Sequence, residues 1–191
     1  DDIVARAGRY DVQIIARLDA PPAWTRADSS ARGDFAPPDD FADYGDFVYA
    51  VVSRYRDRVH YWQLRNEPNI YPEWGNQPVD PEAYVRLLCT GYRRAKEADP
   101  GAVILAAALA PTVELGAPWV DGGNNLSDLI FLQRMYAAGA QPYFDALAIH
   151  AYGGRLSPDD AAAPDRLNFA RAELLREIMV RHGDAAKPAF I

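Results

Sequence analysis

Five short apolar segments alternate along this chain with four longer segments of helical period, and that alternation limits the fold more than any other feature. The strand candidates span residues 12–18 (VQIIARL), 59–65 (VHYWQLR), 103–108 (VILAAA), 146–150 (ALAIH) and 188–191 (PAFI). Between the first two, Phe41, Tyr44, Phe47, Val48, Val51, Val52 and Tyr55 fall on a single helical stripe. Pro37 and Pro38 precede it, with Asp39 and Asp40 available as caps. The next helix is punctuated at both ends. Asp80 suits the N-cap, Pro81 the first turn, and Asp99-Pro100-Gly101 the stop, with Tyr84, Leu87, Leu88, Gly91, Tyr92 and Ala95 as its apolar stripe. A third helix is expected over 127–138, ended by Gly139. A fourth is expected from about Asp165, carrying Leu167, Ala170, Leu174, Leu175 and Ile178 and stopping before Gly183.

Successive strand centres lie roughly 40 to 50 residues apart, each crossover holding a helix, which is the pattern of βα units in a parallel sheet. Connections after helices are short, while those after strands (19–39, 68–79 and 110–126) are long. Long loops therefore crowd the C-terminal strand ends, where barrel enzymes keep their chemistry. A doubly wound open sheet fits the same order. The barrel is favoured because no Gly-rich phosphate loop follows any strand and because acid, amide, histidine and aromatic residues collect at several strand ends. The fold class is therefore α/β, a (β/α)8 TIM barrel that is partial, since five strands cannot close a barrel that needs eight. Residues 1–191 are expected to be the central part of one such domain, with about its third to seventh strands. Alternation puts Gln63, Arg65 and Glu67 on one face, Arg17 with Asp19, and Ala148 with His150, all toward the barrel mouth.

The chain is 49% apolar with 12% aromatics over 191 residues, enough for a substantial core. Its formal charge of −7 and the lack of any long basic run speak against nucleic acid and anionic membrane surfaces as partners. No apolar run is long enough to span a membrane. Cys89 is the single cysteine, so no intrachain disulfide can form and the compartment, secreted or cytoplasmic, stays open. His60, His150 and His182 show no metal-ligand spacing, and neither metal nor cofactor is expected.

The chemistry collects at strand ends. Asn66-Glu67-Pro68 closes the second strand: a carboxylic acid held on a strand tip, an amide before it and a rigid proline after it. Cleavage of a glycosidic bond needs such a proton donor, together with a second carboxyl group acting as nucleophile or base. To keep its proton near neutrality the donor must be buried or sit beside another negative charge. His150-Ala151-Tyr152 closes the fourth strand, where His150 can bond a sugar hydroxyl and Tyr152 a carboxylate. Trp24, Tyr71, Trp74 and Trp119 follow strand ends, where flat rings suit the apolar faces of sugars.

YWQLRNEPN, AIHAY, LDAPPAW and KPAFI together resemble clan A glycoside hydrolases, nearest the cellulase-like and xylosidase-like branches, families 5 and 39. The resemblance implies a carbohydrate substrate, hydrolysis of O-glycosidic bonds with retention, Glu67 as general acid/base and Asn66 as a contact to the sugar 2-hydroxyl. It also implies roles for His150 and Tyr152 at the sixth barrel strand. Arg65 departs from the pattern, in which an aromatic or aliphatic residue precedes the asparagine. The nucleophile of such families stands after a run like KPAFI, so it is expected beyond Ile191, with Asp145, Glu114 and Asp121 poor substitutes. The isolated chain is then expected to be inactive. The alternative reading is a non-catalytic carbohydrate-binding barrel, and oligomeric state is left open.

Overall fold

The structure is a computed structural model that describes residues 1–116 and 125–191. Its sheet has five parallel strands in chain order: β1 (Ile15–Leu18), β2 (Tyr61–Leu64), β3 (Val103–Leu109), β4 (Ala146–Ile149) and β5 (Ala189–Phe190). The register runs Ile15 to Tyr61, Tyr61 to Val103, Leu105 to Ala146 and Leu147 to Ala189. The helices are α1 (Asp2–Arg9), α2 (Ser29–Arg32), α3 (Phe41–Tyr55), α4 (Pro81–Ala98), α5 (Asp128–Ala137) and α6 (Arg171–Arg181).

The main core lies between the sheet and one layer of helices. Val48 and Val52 of α3, Leu87 and Leu88 of α4, Phe131 and Leu132 of α5 and Ile178 of α6 meet Trp62, Leu64, Ile104, Leu147 and Ile149 there. The other face carries a separate, smaller cluster drawn from strands alone: Leu105, Ala108, Ala146 and Ala148, flanked by Tyr61, Val103 and Phe190. Small side chains on that face allow the sheet to curl. Tyr61 of β2 and Phe190 of β5 stand three strands apart, about 14 Å on a flat sheet, yet their ring centroids are 5.7 Å apart. Sequential order, a single helical layer and a concave inner face make this part of a (β/α)8 barrel, and the doubly wound alternative drops out.

The expected caps form: Asp80 accepts from the Ala83 amide at 2.8 Å and Asp40 from Ala42 at 2.8 Å. Two buried tyrosines then tie helices to strand ends. Tyr44 donates to the carbonyl of Leu18, the last residue of β1, at 2.9 Å, and Tyr84 to that of Leu64, the last of β2, at 3.1 Å. Tyr84 also accepts from the amide of Ala107 at 2.7 Å, within the stretch of β3 where the register shifts. Burial pushes both phenols far above their usual range.

Two boundaries differ from the sequence reading. The first strand begins at Ile15, because Val12 donates back to Ala7 at 3.0 Å and Asp11 turns the chain at a φ of 54°. The fourth helix begins at Arg171 and not near Asp165. The Arg171 guanidinium takes the carbonyls of Pro164 and Arg166, and the Asn168 amide those of Asp160 and Ala161, so residues 160–170 turn where a helix would need these acceptors. Leu167 is accordingly half-exposed. Among the described residues no helix is long and apolar enough to cross a membrane.

Candidate active site

The site is built where β2 ends. Alternation fails one residue past the strand, because Arg65 takes a φ of 74° and turns its side chain to the helix-covered side, away from Gln63 and Glu67. This corrects the expectation that all three share a face. The Arg65 guanidinium is fully buried, lies 5.8 Å from the Trp74 ring centre and pairs with Asp19 at 2.7 Å. It donates to the carbonyls of Phe35 at 2.5 Å and Glu73 at 2.9 Å, binding two loops to the strand end. Gly75 completes that junction: at a φ of 81°, an added Cβ would sit 2.5 Å from the Ala36 side chain and 2.6 Å from the Arg32 carbonyl.

Glu67 follows at a φ of 39°, so two non-glycine residues in three occupy left-handed backbone, at a cost on the order of 1–3 kcal/mol each. The surroundings hold them there. The Glu67 amide donates to Ala108 at 2.9 Å, carrying the pairing with β3 past the strand. Asn69, fully buried, then closes the exit: its side chain exchanges bonds with both backbone groups of Ala110 at 2.8 and 2.9 Å and donates to Leu126 at 2.9 Å.

The carboxyl of Glu67 meets the Nδ1 of His150 at 2.7 Å, with the two side chains 16% and 25% exposed. They come from β2 and β4 and can meet only because the sheet is concave and Ala108 and Ala148 between them are small. Tyr152 stands with its ring 5.2 Å from the imidazole, mostly exposed at the rim. Asn66 is buried next to Glu67, with its Oδ1 atom lacking a hydrogen-bond partner. Burial chiefly raises the pKa of Glu73, the charges of Asp19 and Glu67 add to this, and the Asn66 amide and Arg17 oppose it. A pair made of a shielded carboxyl and an imidazole, open on one side, can hold a proton and deliver it to a bound group.

Of the aromatic residues singled out, Trp24 is 76% exposed, on a groove of about 370 Å³ lined also by Asp19, Pro22, Asp43 and Phe47. Trp74 is not a platform: it is buried, edge-on to Tyr84 at 6.3 Å and beneath Arg65, so no face is left for a ligand. Trp119 and Asp121 lie outside the described residues. Glu114 accepts from the Asn125 amide at 2.7 Å, and Asp145 pairs with Lys96 at 2.9 Å at the start of β4, the end opposite His150. Glu73 and Asn69 escaped the sequence reading because both act through contacts in folded loops that no spacing rule foretells. Among the described residues no group of three or more His, Cys, Asp or Glu could hold a metal ion.

No family model matches the chain, and no curated protein sequence does. Solved structures do. A family 39 glycoside hydrolase from Bacteroides cellulosilyticus WH2 superposes with a TM-score of 0.68 at 20% identity over 98% of this chain and 36% of its own. A monomeric β-xylosidase from Caulobacter crescentus CB15 gives 0.61 at 20% identity over 99% and 37%. A family 10 structure from Paenibacillus barcinonensis gives 0.53 at 18% identity over 99% and 53%. The chain has the fold of part of a glycoside hydrolase barrel. It spans about a third to a half of the length of these structures.

Proposed function

We propose that this chain is the central part, residues 1–191, of the catalytic domain of a retaining glycoside hydrolase acting on oligo- or polysaccharides, with Glu67 as its general acid/base. The observation that carries this is the 2.7 Å contact of Glu67 with His150 at the C-terminal end of a concave parallel sheet. The likeness in fold to solved glycosidases supports it. Glu67 would protonate the leaving oxygen and then take a proton from the attacking water. Asn66, His150, Tyr152 and the exposed Trp24 would hold the sugars.

Retention requires a second carboxylate about 5 Å from the first, acting as nucleophile. Glu73 neighbours Glu67 but is pushed the wrong way, since burial favours its neutral form and a nucleophile must be ionised. We assign the nucleophile to the strand end next to His150. Phe190 pairs with Ala148, so the position in register with His150 falls just past Ile191.

The test is kinetic. In the full-length barrel, Glu67→Gln should slow glycosides with poor leaving groups by about 100- to 10,000-fold, the range of a lost general acid. Activated aryl glycosides, which need little protonation, should be cleaved nearly as fast in the first step. Equal loss for both would remove Glu67 from the role.

A further inference from the structure

We propose that Tyr84 is a positioning residue of this site. Its hydroxyl stands in for one rung of the β2–β3 ladder, and the interruption sets the turn that carries the Glu67 carboxyl to His150. The proposal rests on the reading of Glu67 as acid/base and names the group that places it.

The interruption is visible in the register. Val103 donates to the carbonyl of His60 at 2.7 Å, and the strands pair from Tyr61 with Val103 to Leu64 with Ala106. Parallel rungs recur every second residue, so the next would join the Ala107 amide to the Leu64 carbonyl and the Asn66 amide to the Ala107 carbonyl. Pairing stops short of them. The Ala107 amide donates instead to the Tyr84 hydroxyl at 2.7 Å, which donates in turn to the Leu64 carbonyl at 3.1 Å. Contact between the strands resumes one residue late on both, where the Glu67 amide donates to Ala108 at 2.9 Å.

That slip changes what Glu67 presents. The β2 residues whose amides face β3, Trp62 and Leu64, send their side chains into the helix-side core. Glu67 faces β3 with its amide, yet its carboxyl meets His150 at 2.7 Å on the concave side. The skipped stretch holds the left-handed Arg65 and ends on the left-handed Glu67, conformations that an unbroken ladder of extended residues has no place for. A phenol can donate and accept at once, which bridging a carbonyl and an amide requires. Tyr84 is fully buried near the start of α4, its ring held edge-on to Trp74 at 6.3 Å and 5.8 Å from Phe131. Tyr44 is the internal contrast. It donates to the Leu18 carbonyl at 2.9 Å, but that carbonyl keeps the Arg65 amide at 3.1 Å, so no rung is displaced.

The test compares Tyr84→Phe with Tyr44→Phe in the full-length barrel, by crystal structure and by kinetics. In Tyr84→Phe the strands should close, with the Ala107 amide on the Leu64 carbonyl, and the contact of Glu67 with His150 should open beyond hydrogen-bond distance. The kcat for glycosides with poor leaving groups should fall about 100-fold at unchanged KM, as for a catalytic group misplaced by ~1 Å. Tyr44→Phe, which loses an equally buried hydroxyl, should keep both contact and kcat. Tyr84→4-aminophenylalanine, whose amino group also donates and accepts, should restore them. The contact is read without substrate, so its outcome is separate from that of the hydrolase reading. On the wild type, NMR couplings across hydrogen bonds should join the Glu67 nitrogen to the Ala108 carbonyl carbon and should not join Ala107 to Leu64. A coupling of Ala107 to Leu64, an intact Glu67–His150 contact in Tyr84→Phe, or an equal loss in Tyr44→Phe overturns the proposal.

Discussion

Arg171 and Arg65 are both buried arginines that tie loops to the C-terminal side of the sheet, and they do it in opposite ways. Arg171 grips both oxygens of Asp128 at 2.7–3.0 Å, takes the carbonyls of Thr112, Pro164 and Arg166, and leaves no nitrogen without a partner. Arg65 pairs with Asp19 and two carbonyls, but its Nε has no partner and its backbone is held at a φ of 74°. A saturated network fixes one arrangement of its loops. An under-satisfied one beside Glu67 and a carboxyl of raised pKa is where strain is kept for a site.

Breaking the saturated pair should have the larger effect. Asp128→Ala leaves the Arg171 charge buried and unpaired, and the chain should lose about 3–5 kcal/mol of stability, read as a lower midpoint of urea unfolding at unchanged slope. Asp128→Ala combined with Arg171→Met should recover part of that, since the stranded charge is then gone while the carbonyls of Thr112, Pro164 and Arg166 lose their donor. No recovery would mean that the lost carbonyl bonds outweigh the stranded charge.

At the other arginine, Arg65→Leu keeps apolar volume against Trp74 and loses the charge-assisted bonds of a fully buried guanidinium, but the Asp19 carboxylate it leaves is 10% exposed and can still reach water, so the expected cost is about 2 kcal/mol. A loss as large as that of Asp128→Ala would erase the distinction between the two regions.

The smallest effect should be one of pH. The pKa of Glu73 is raised on folding, so its contribution favours the fold below its ordinary value of 4.5 and is lost as pH rises through the higher folded value. Relative to the wild type, Glu73→Gln should therefore gain stability as pH climbs through that window. An unfolding series from pH 4 to 7 checks the sign, and a constant difference would place Glu73 in water.

The contrast also marks how far the sequence could be read. Strands, the capped helices α3 and α4, their single layer and the strand-end location of Glu67 and His150 were legible, because period, caps and βα order act locally. The start of α6 was not, since Arg171 draws carbonyls from a loop whose approach no local pattern encodes. The face of Arg65 was misread for a related reason: alternation holds only while φ stays extended, and one left-handed residue turns the side chain to the other layer. Trp74 followed Asn66-Glu67-Pro68 as a sugar platform would, yet it packs under that same arginine.

The central claim, that Glu67 is the acid/base of a retaining hydrolase, meets its most direct test in chemical rescue of Glu67→Ala in the full-length barrel with an activated aryl glycoside. Without the carboxyl, water cannot be deprotonated and the glycosyl-enzyme intermediate persists, whereas azide needs no base and attacks the anomeric carbon in the vacated space. Azide should restore turnover and yield a glycosyl azide with the anomeric configuration of the substrate. No acceleration by azide, or an azide product of inverted configuration, would contradict the account.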